Sequence, residues 1–120
     1  MDVSIFQEAG LTAGEARVYL SLNKLGLSSV SPIAESADIS LSKIYEVLDG
    51  LIKKGLVSTI SKNNVKYFQA TSPDRILDYL KQKKHKIEED EKKILRLLPI
   101  LKKEQREIRQ RASATLYEGF

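Results

Sequence analysis

A chain of 120 residues, 42% hydrophobic and 30% charged, suits one compact domain with an extension and is too apolar for a disordered segment. It contains no cysteine, which excludes disulfides and thiolate metal sites and makes an intracellular, cytoplasmic address the natural expectation. The net charge of +4 is unevenly placed: residues 1–72 carry seven basic and seven acidic side chains, residues 73–120 thirteen and nine.

"MDVSIFQEAG" has neither the basic nor the apolar region of a signal peptide. Thr12-Ala13-Gly14-Glu15 then has the spacing of a capping box, with a hydroxyl for orphan N–H groups and a carboxylate reaching back three residues. Ala16, Val18, Tyr19, Leu22 and Leu25 follow at helical spacing and Gly26 is a suitable terminator, so a helix is predicted over residues 12–25. Ser31-Pro32 reads as an N-cap followed by proline at the first helical position, opening the short helix "PIAESA" that ends near Asp38. Ile33, Ala34 and Ala37 would form its inward face.

Ser40 is the expected N-cap of a third helix. There Ile44, Val47, Leu48, Leu51 and Ile52 form a buried stripe, and Gly55 stops the run. "LVSTIS" and "VKYFQA" are β-prone and are separated by Lys62-Asn63-Asn64, whose asparagines tolerate the positive φ of a hairpin turn. Thr71-Ser72-Pro73-Asp74 opens a last helix, predicted to run to about Arg111 with a kink or break at Pro99. The greasiest stretch within it, "ILRLLPIL", is interrupted by Arg96 and is far too short to span a bilayer. "ATLYEGF" is strand-like, so residues 112–120 read as the first fragment of a further domain or as a tail without settled structure.

Helix, short helix, tight turn, helix and hairpin in this order predict a mainly α fold, a winged helix-turn-helix over residues 1–72, followed by a long coiled-coil-like helix over residues 73–111. In such a fold the third helix turns its apolar stripe inward and its first turn towards the major groove, where base edges offer donors and acceptors. Ser40, Ser42, Lys43 and Tyr45 are the expected groove-facing residues, although the Tyr45 ring could instead pack on the second helix. Glu46 and Asp49 lie on the same helix; they could orient Lys43 or Lys53, accept from a cytosine amine, or border the footprint. On the wing, Lys62, Asn63, Asn64 and Lys66 would follow phosphates or an adjacent minor groove. Ser29 and Ser31, at a helix start, would add phosphate contacts. Residues 40–66 carry five lysines against two acids, which suits that partner.

"GLTAGEARVYLSLNKLG", "SPIAESADISLSKIYEVLDGLIKKGLV" and "KYFQATSPDRIL" resemble the DNA-binding domain of the TrmB family of archaeal sugar-responsive transcriptional regulators. The resemblance covers about residues 8–110, and its most specific element is Ser42-Lys43-Ile44-Tyr45-Glu46. It implies that Ser42, Lys43 and Tyr45 contact bases or backbone and that the long helix mediates dimerisation. "LYEGF" is similar to the opening strand of the family's downstream regulatory region. The effector-binding domain itself is not in this sequence, so no small-molecule effector is expected to bind this chain.

Leu80, Ile87, Ile94, Leu101 and Ile108 recur every seven residues, as at a coiled-coil seam. Ile76, Leu77, Leu97 and Leu98 extend the apolar surface, whereas Lys83, Asp90 and Glu104 leave the second seam position polar. Two copies crossing antiparallel at Ile87 would set Lys83 against Glu91, Lys84 against Asp90 and Lys86 against Glu88, with Leu80 meeting Ile94 and Leu77 meeting Leu97. Parallel pairing would instead oppose the lysine run to itself. Residues 73–87 span about 21 Å of helix, so the two heads of such a homodimer would start about 40 Å apart. That is near the spacing of about 34 Å between recognition helices one DNA turn apart.

Nothing in the sequence supports catalysis or a cofactor. There is no Gly-rich phosphate loop, and His85 has no second histidine or cysteine with which to share a metal. The expected function is sequence-specific binding of double-stranded DNA by a homodimeric transcriptional regulator. The alternative is a winged-helix module that docks protein in a transcription or repair assembly.

Overall fold

In this computed structural model, which describes the backbone of residues 2–118 and side chains as far as residue 114, helices and one hairpin follow in chain order. They are α1 (Ser4–Glu8), α2 (Ala13–Leu25), α3 (Val30–Ala37), α4 (Leu41–Lys53), β1 (Val57–Lys62), β2 (Val65–Ala70) and α5 (Arg75–Glu118). The fold is the expected one, mainly helical with a two-stranded wing and a long last helix. The short α1 was not anticipated. It has no buried residue of its own, but Phe6 lies in its middle with its ring 6.0 Å from that of Tyr19.

The capping box of α2 is present in both directions: Glu15 N–H donates to Thr12 Oγ1 at 3.1 Å, and Thr12 N–H to Glu15 Oε1 at 2.9 Å. In α3 the helix starts earlier than expected, with Ser29 at the N-cap rather than Ser31. Pro32 therefore falls at the third helical position. Its absent N–H would have been an orphan there too, so no helical bond is lost. Asp38 closes α3 in the left-handed conformation, φ 55°.

Ser40 is the N-cap of α4, as expected, with extended backbone; its hydroxyl, however, lies 3.0 Å from the Ser42 hydroxyl instead of closing on the helix. Gly55, at φ +77°, ends the helix with two reversed bonds, Gly55 N–H to Ile52 O at 2.9 Å and Leu56 N–H to Leu51 O at 3.0 Å. This is the Schellman arrangement, and the left-handed residue it requires is most easily glycine. The chain can then turn directly into β1.

The wing is an antiparallel hairpin in register from Val57↔Ala70 to Lys62↔Val65. Its two-residue turn is Asn63-Asn64, both with positive φ (53° and 63°), which is the type I′ signature. Phe68 anchors the wing twice. Its backbone exchanges two hydrogen bonds with Ser28, at 2.8 and 2.9 Å, and its ring is buried in the core. That core gathers Leu22 of α2, Ile33 of α3, Ile44, Leu48 and Leu51 of α4, and Leu56 and Phe68 of the wing, each less than 2% exposed.

The head is compact as far as Lys81, with Ile76 and Tyr79 in the first turns of α5 packing on its core. From Gln82 the chain forms a separate unit. Of the kink or break expected at Pro99, a break is absent: α5 is one continuous helix across it. Proline there removes its own donor to the Leu95 carbonyl and crowds that oxygen with its ring; both residues are exposed, so water can serve the oxygen. The strand-like reading of "ATLYEGF" is likewise corrected, since helix continues to Glu118. Extending an existing helix adds one hydrogen bond per residue fixed, which favours Ala, Leu and Glu joining it over an unpaired strand. Residues 119 and 120 of that stretch lie outside the described residues.

A candidate nucleic-acid interface at the start of α4

α4 is divided sharply between its two faces. Ile44, Leu48 and Leu51 are wholly buried, while Ser40, Leu41, Ser42, Lys43, Tyr45, Glu46 and Asp49 are exposed. The first turn of the helix therefore projects beyond the core. Tyr45 is 55% exposed, so its ring is not buried against α3. Among the described residues no ion pair joins Glu46 or Asp49 to Lys43 or Lys53, so neither acid orients those lysines in the free chain.

The other predicted contacts are distributed around this turn. Ser31 is exposed near the start of α3 and Ser29 is half-buried as its N-cap. At the wing tip Lys62, Asn63, Asn64 and Lys66 are all exposed, and the Lys66 ammonium lies 5.6 Å over the Phe68 ring. Lys43 and Lys53 border an open groove between α4 and the start of α2, together with Arg17, Glu46 and Asp49. The result is a hydroxyl-rich helix start, with cations on α4 and at the wing tip.

What holds α4 at this angle was not read from the sequence. The Glu15 carboxylate, 5% exposed, accepts two bonds from the Lys54 ammonium, at 2.7 and 2.8 Å, besides the capping bond from Thr12. The start of α2 is thereby tied to the C-terminal end of α4. Gly50 makes room for it, since a Cβ at that position would collide with the Glu15 carboxylate. Sequence reasoning saw Glu15 only as half of a capping box and Lys54 as one more surface cation. A glycine inside an otherwise strong amphipathic helix was the available signal of a close approach.

The predicted dimerisation residues are described for a single chain. Leu77, Leu80, Ile87, Ile94, Leu97 and Leu101 are exposed, Leu98 is half-buried, and Ile76 packs on the core of its own head. Within α5, Lys86 pairs with Asp90 at 3.0 Å and Lys92 with Glu89 at 3.4 Å. No group of three or more potential metal ligands occurs among the described residues, and none of their helices is long and apolar enough to cross a membrane.

Three packed helices, a tight α3–α4 turn and a hairpin define a winged helix-turn-helix whose recognition position is occupied by α4. Residues 6–74 match the family model described as "Sugar-specific transcriptional regulator TrmB", and the chain belongs to that family of transcriptional regulators. Over 76 residues it is 30% identical to the HTH-type sugar sensing transcriptional regulator TrmBL1 of Pyrococcus furiosus, covering 63% of this chain and 22% of that protein. Among solved structures it is similar to TrmBL2, an archaeal chromatin protein described as showing a novel mode of DNA binding, with a TM-score of 0.63 and 26% identity over 82% of this chain and 39% of that one. A possible transcriptional regulator from Methanosarcina mazei Go1 shares the fold, with a TM-score of 0.61 and 14% identity over 77% of this chain and 82% of that one. The chain thus spans well under half the length of both TrmB-like relatives.

Proposed function

We propose that the head binds double-stranded DNA with sequence preference, as the reading domain of a cytoplasmic transcriptional regulator. The observation that carries this is the division of α4: one face wholly buried, and on the other Ser42, Lys43 and Tyr45 exposed at the end that a winged helix inserts into the major groove. Lys43 and the two serine hydroxyls supply donors for guanine and thymine edges; Lys62 and Lys66 supply phosphate neutralisation and register. The two kinds of contact separate by mutation. Lys43→Ala is expected to relax preference at one base pair by about tenfold, whereas Lys62→Ala weakens all sequences about equally. Competition between a selected duplex and scrambled ones measures both. A uniform loss for Lys43→Ala would move that lysine to the backbone-contacting set.

The regulator is proposed to act as a homodimer through α5. Leu80, Ile87, Ile94 and Leu101 leave a row of half-exposed apolar side chains on the single chain. Crossing two copies antiparallel at Ile87 covers them and opposes Lys84 to Asp90 and Lys86 to Glu88. The Lys86–Asp90 pair seen within one helix does not compete seriously, since an exposed pair at that spacing contributes only about 0.3–0.5 kcal/mol. Oxidising the double variant Leu80→Cys, Ile94→Cys should join position 80 of one protomer to position 94 of the other. Efficient self-crosslinking of Leu80→Cys alone would contradict the antiparallel register.

A further inference from the structure

Leu41, at the start of α4, is an exposed apolar residue that the foregoing contacts leave unused. It precedes Ile44 by three positions and Leu48 by seven, so helical periodicity aligns it with the buried stripe. Yet Ile44 and Leu48 are 0% exposed and Leu41 is 61% exposed, because α4 begins beyond the edge of the helices it packs on. Its immediate neighbours, Ser40, Ser42 and Lys43, are all polar. One turn on, Tyr45 is 55% exposed on the same side. Leu41 also borders a crevice at the α3–α4 junction of about 360 Å³, together with Ser31, Glu35 and Asp38. It therefore shares a surface with Ser31 near the start of α3.

In the major groove only thymine presents a methyl group, at C5, and it sets that methyl beside the O4 acceptor. We propose that Leu41 is a specificity-determining residue that covers the 5-methyl group of a thymine. Ser42, the next residue, donates its hydroxyl to O4 of that base or of an adjacent one. The Ser40 and Ser42 hydroxyls lie 3.0 Å apart; with Ser40 donating to Ser42, the single Ser42 proton is left to point outward to O4. Leu41 and Ser42 together then form an apolar–donor pair matching the methyl–acceptor pair of thymine. This rests on the DNA-binding reading of the head.

The test removes only the methyl group. Duplexes selected from random DNA by the full chain are remade with each thymine in turn replaced by uracil, and affinities are measured for the wild type and for Leu41→Ala. The expected result is one thymine per half-site whose methyl removal weakens wild-type binding about fourfold, the effect of one buried methyl-sized group. Leu41→Ala should bind the thymine and uracil forms equally, and Leu41→Met should restore the difference. A selected half-site without thymine in the groove-facing positions, or equal uracil sensitivity in wild type and Leu41→Ala, overturns the proposal while the DNA-binding reading stands. Absence of affinity for any duplex at low salt overturns both. Leu41 lies outside the core, so circular dichroism of the variant should match the wild type.

Discussion

Phe68→Ala is expected to destabilise the head by about 3–5 kcal/mol, the range for truncating a buried aromatic ring. The ring is 1% exposed and its backbone exchanges two hydrogen bonds with Ser28, so one residue joins the wing both to the core and to the connection between α2 and α3. A domain of this size has about 5–15 kcal/mol in total, so the variant should unfold well below the wild-type denaturant midpoint. The wing tip should suffer first, with Lys62 and Lys66 losing their fixed position. Urea unfolding followed by circular dichroism measures the loss. A change under about 1 kcal/mol would mean that the wing is not held by this anchor.

Lys54→Met has the second largest expected effect. Breaking a buried ion pair by removing one partner commonly costs about 3–5 kcal/mol, because the remaining charge is left without compensation. Here Lys54 is 23% exposed while Glu15 is 5% exposed, so water can reach part of the site and a loss of about 2–3 kcal/mol is expected. The double variant Glu15→Gln, Lys54→Met removes the orphaned charge and should recover much of that loss, as coupled neighbours do in a double-mutant cycle. Additive losses from the two single changes would show that the pair does not act as a unit. Because this pair ties the start of α2 to the end of α4, the single variant should also lower DNA affinity at temperatures where it is still folded.

The architecture was legible because the local signals agreed with one another. Thr12 and Glu15 at capping-box spacing, the stripe from Ile44 to Ile52, Gly55, and the pair Asn63-Asn64 each demand one local geometry, and those geometries in sequence admit few assemblies. The misreadings came where a local rule met a context that relaxed it. Pro32 marked the start of α3 two residues late, since proline is tolerated anywhere in the first turn. Pro99 does not interrupt α5, because on an exposed helix water can take up the carbonyl it leaves free. Residues 114–118, read as strand-like, join a helix already nucleated.

In the candidate interface, the exposed row from Ser40 to Asp49 was read from periodicity, which separates the faces of a helix well. Periodicity says nothing of where along its length a helix emerges from its neighbours. Leu41 was missed for that reason, being in line with the core yet beyond its edge. The Glu15–Lys54 tie was missed because it joins positions 39 residues apart, and only the unexplained Gly50 hinted at it.

The exposed amino end of α4 and the wing tip are proposed to bind a DNA duplex, and the salt dependence of that binding tests it. In the proposed homodimer Lys62 and Lys66 of the two heads would neutralise about four phosphates, so affinity for a selected duplex should fall about a hundredfold between 50 and 200 mM salt. Fluorescence anisotropy of a labelled duplex titrated with the full chain gives that slope. Tight binding at low salt and this steep fall are the expected result. Affinity that is negligible already at 50 mM salt would contradict it and point instead to a winged helix that docks protein.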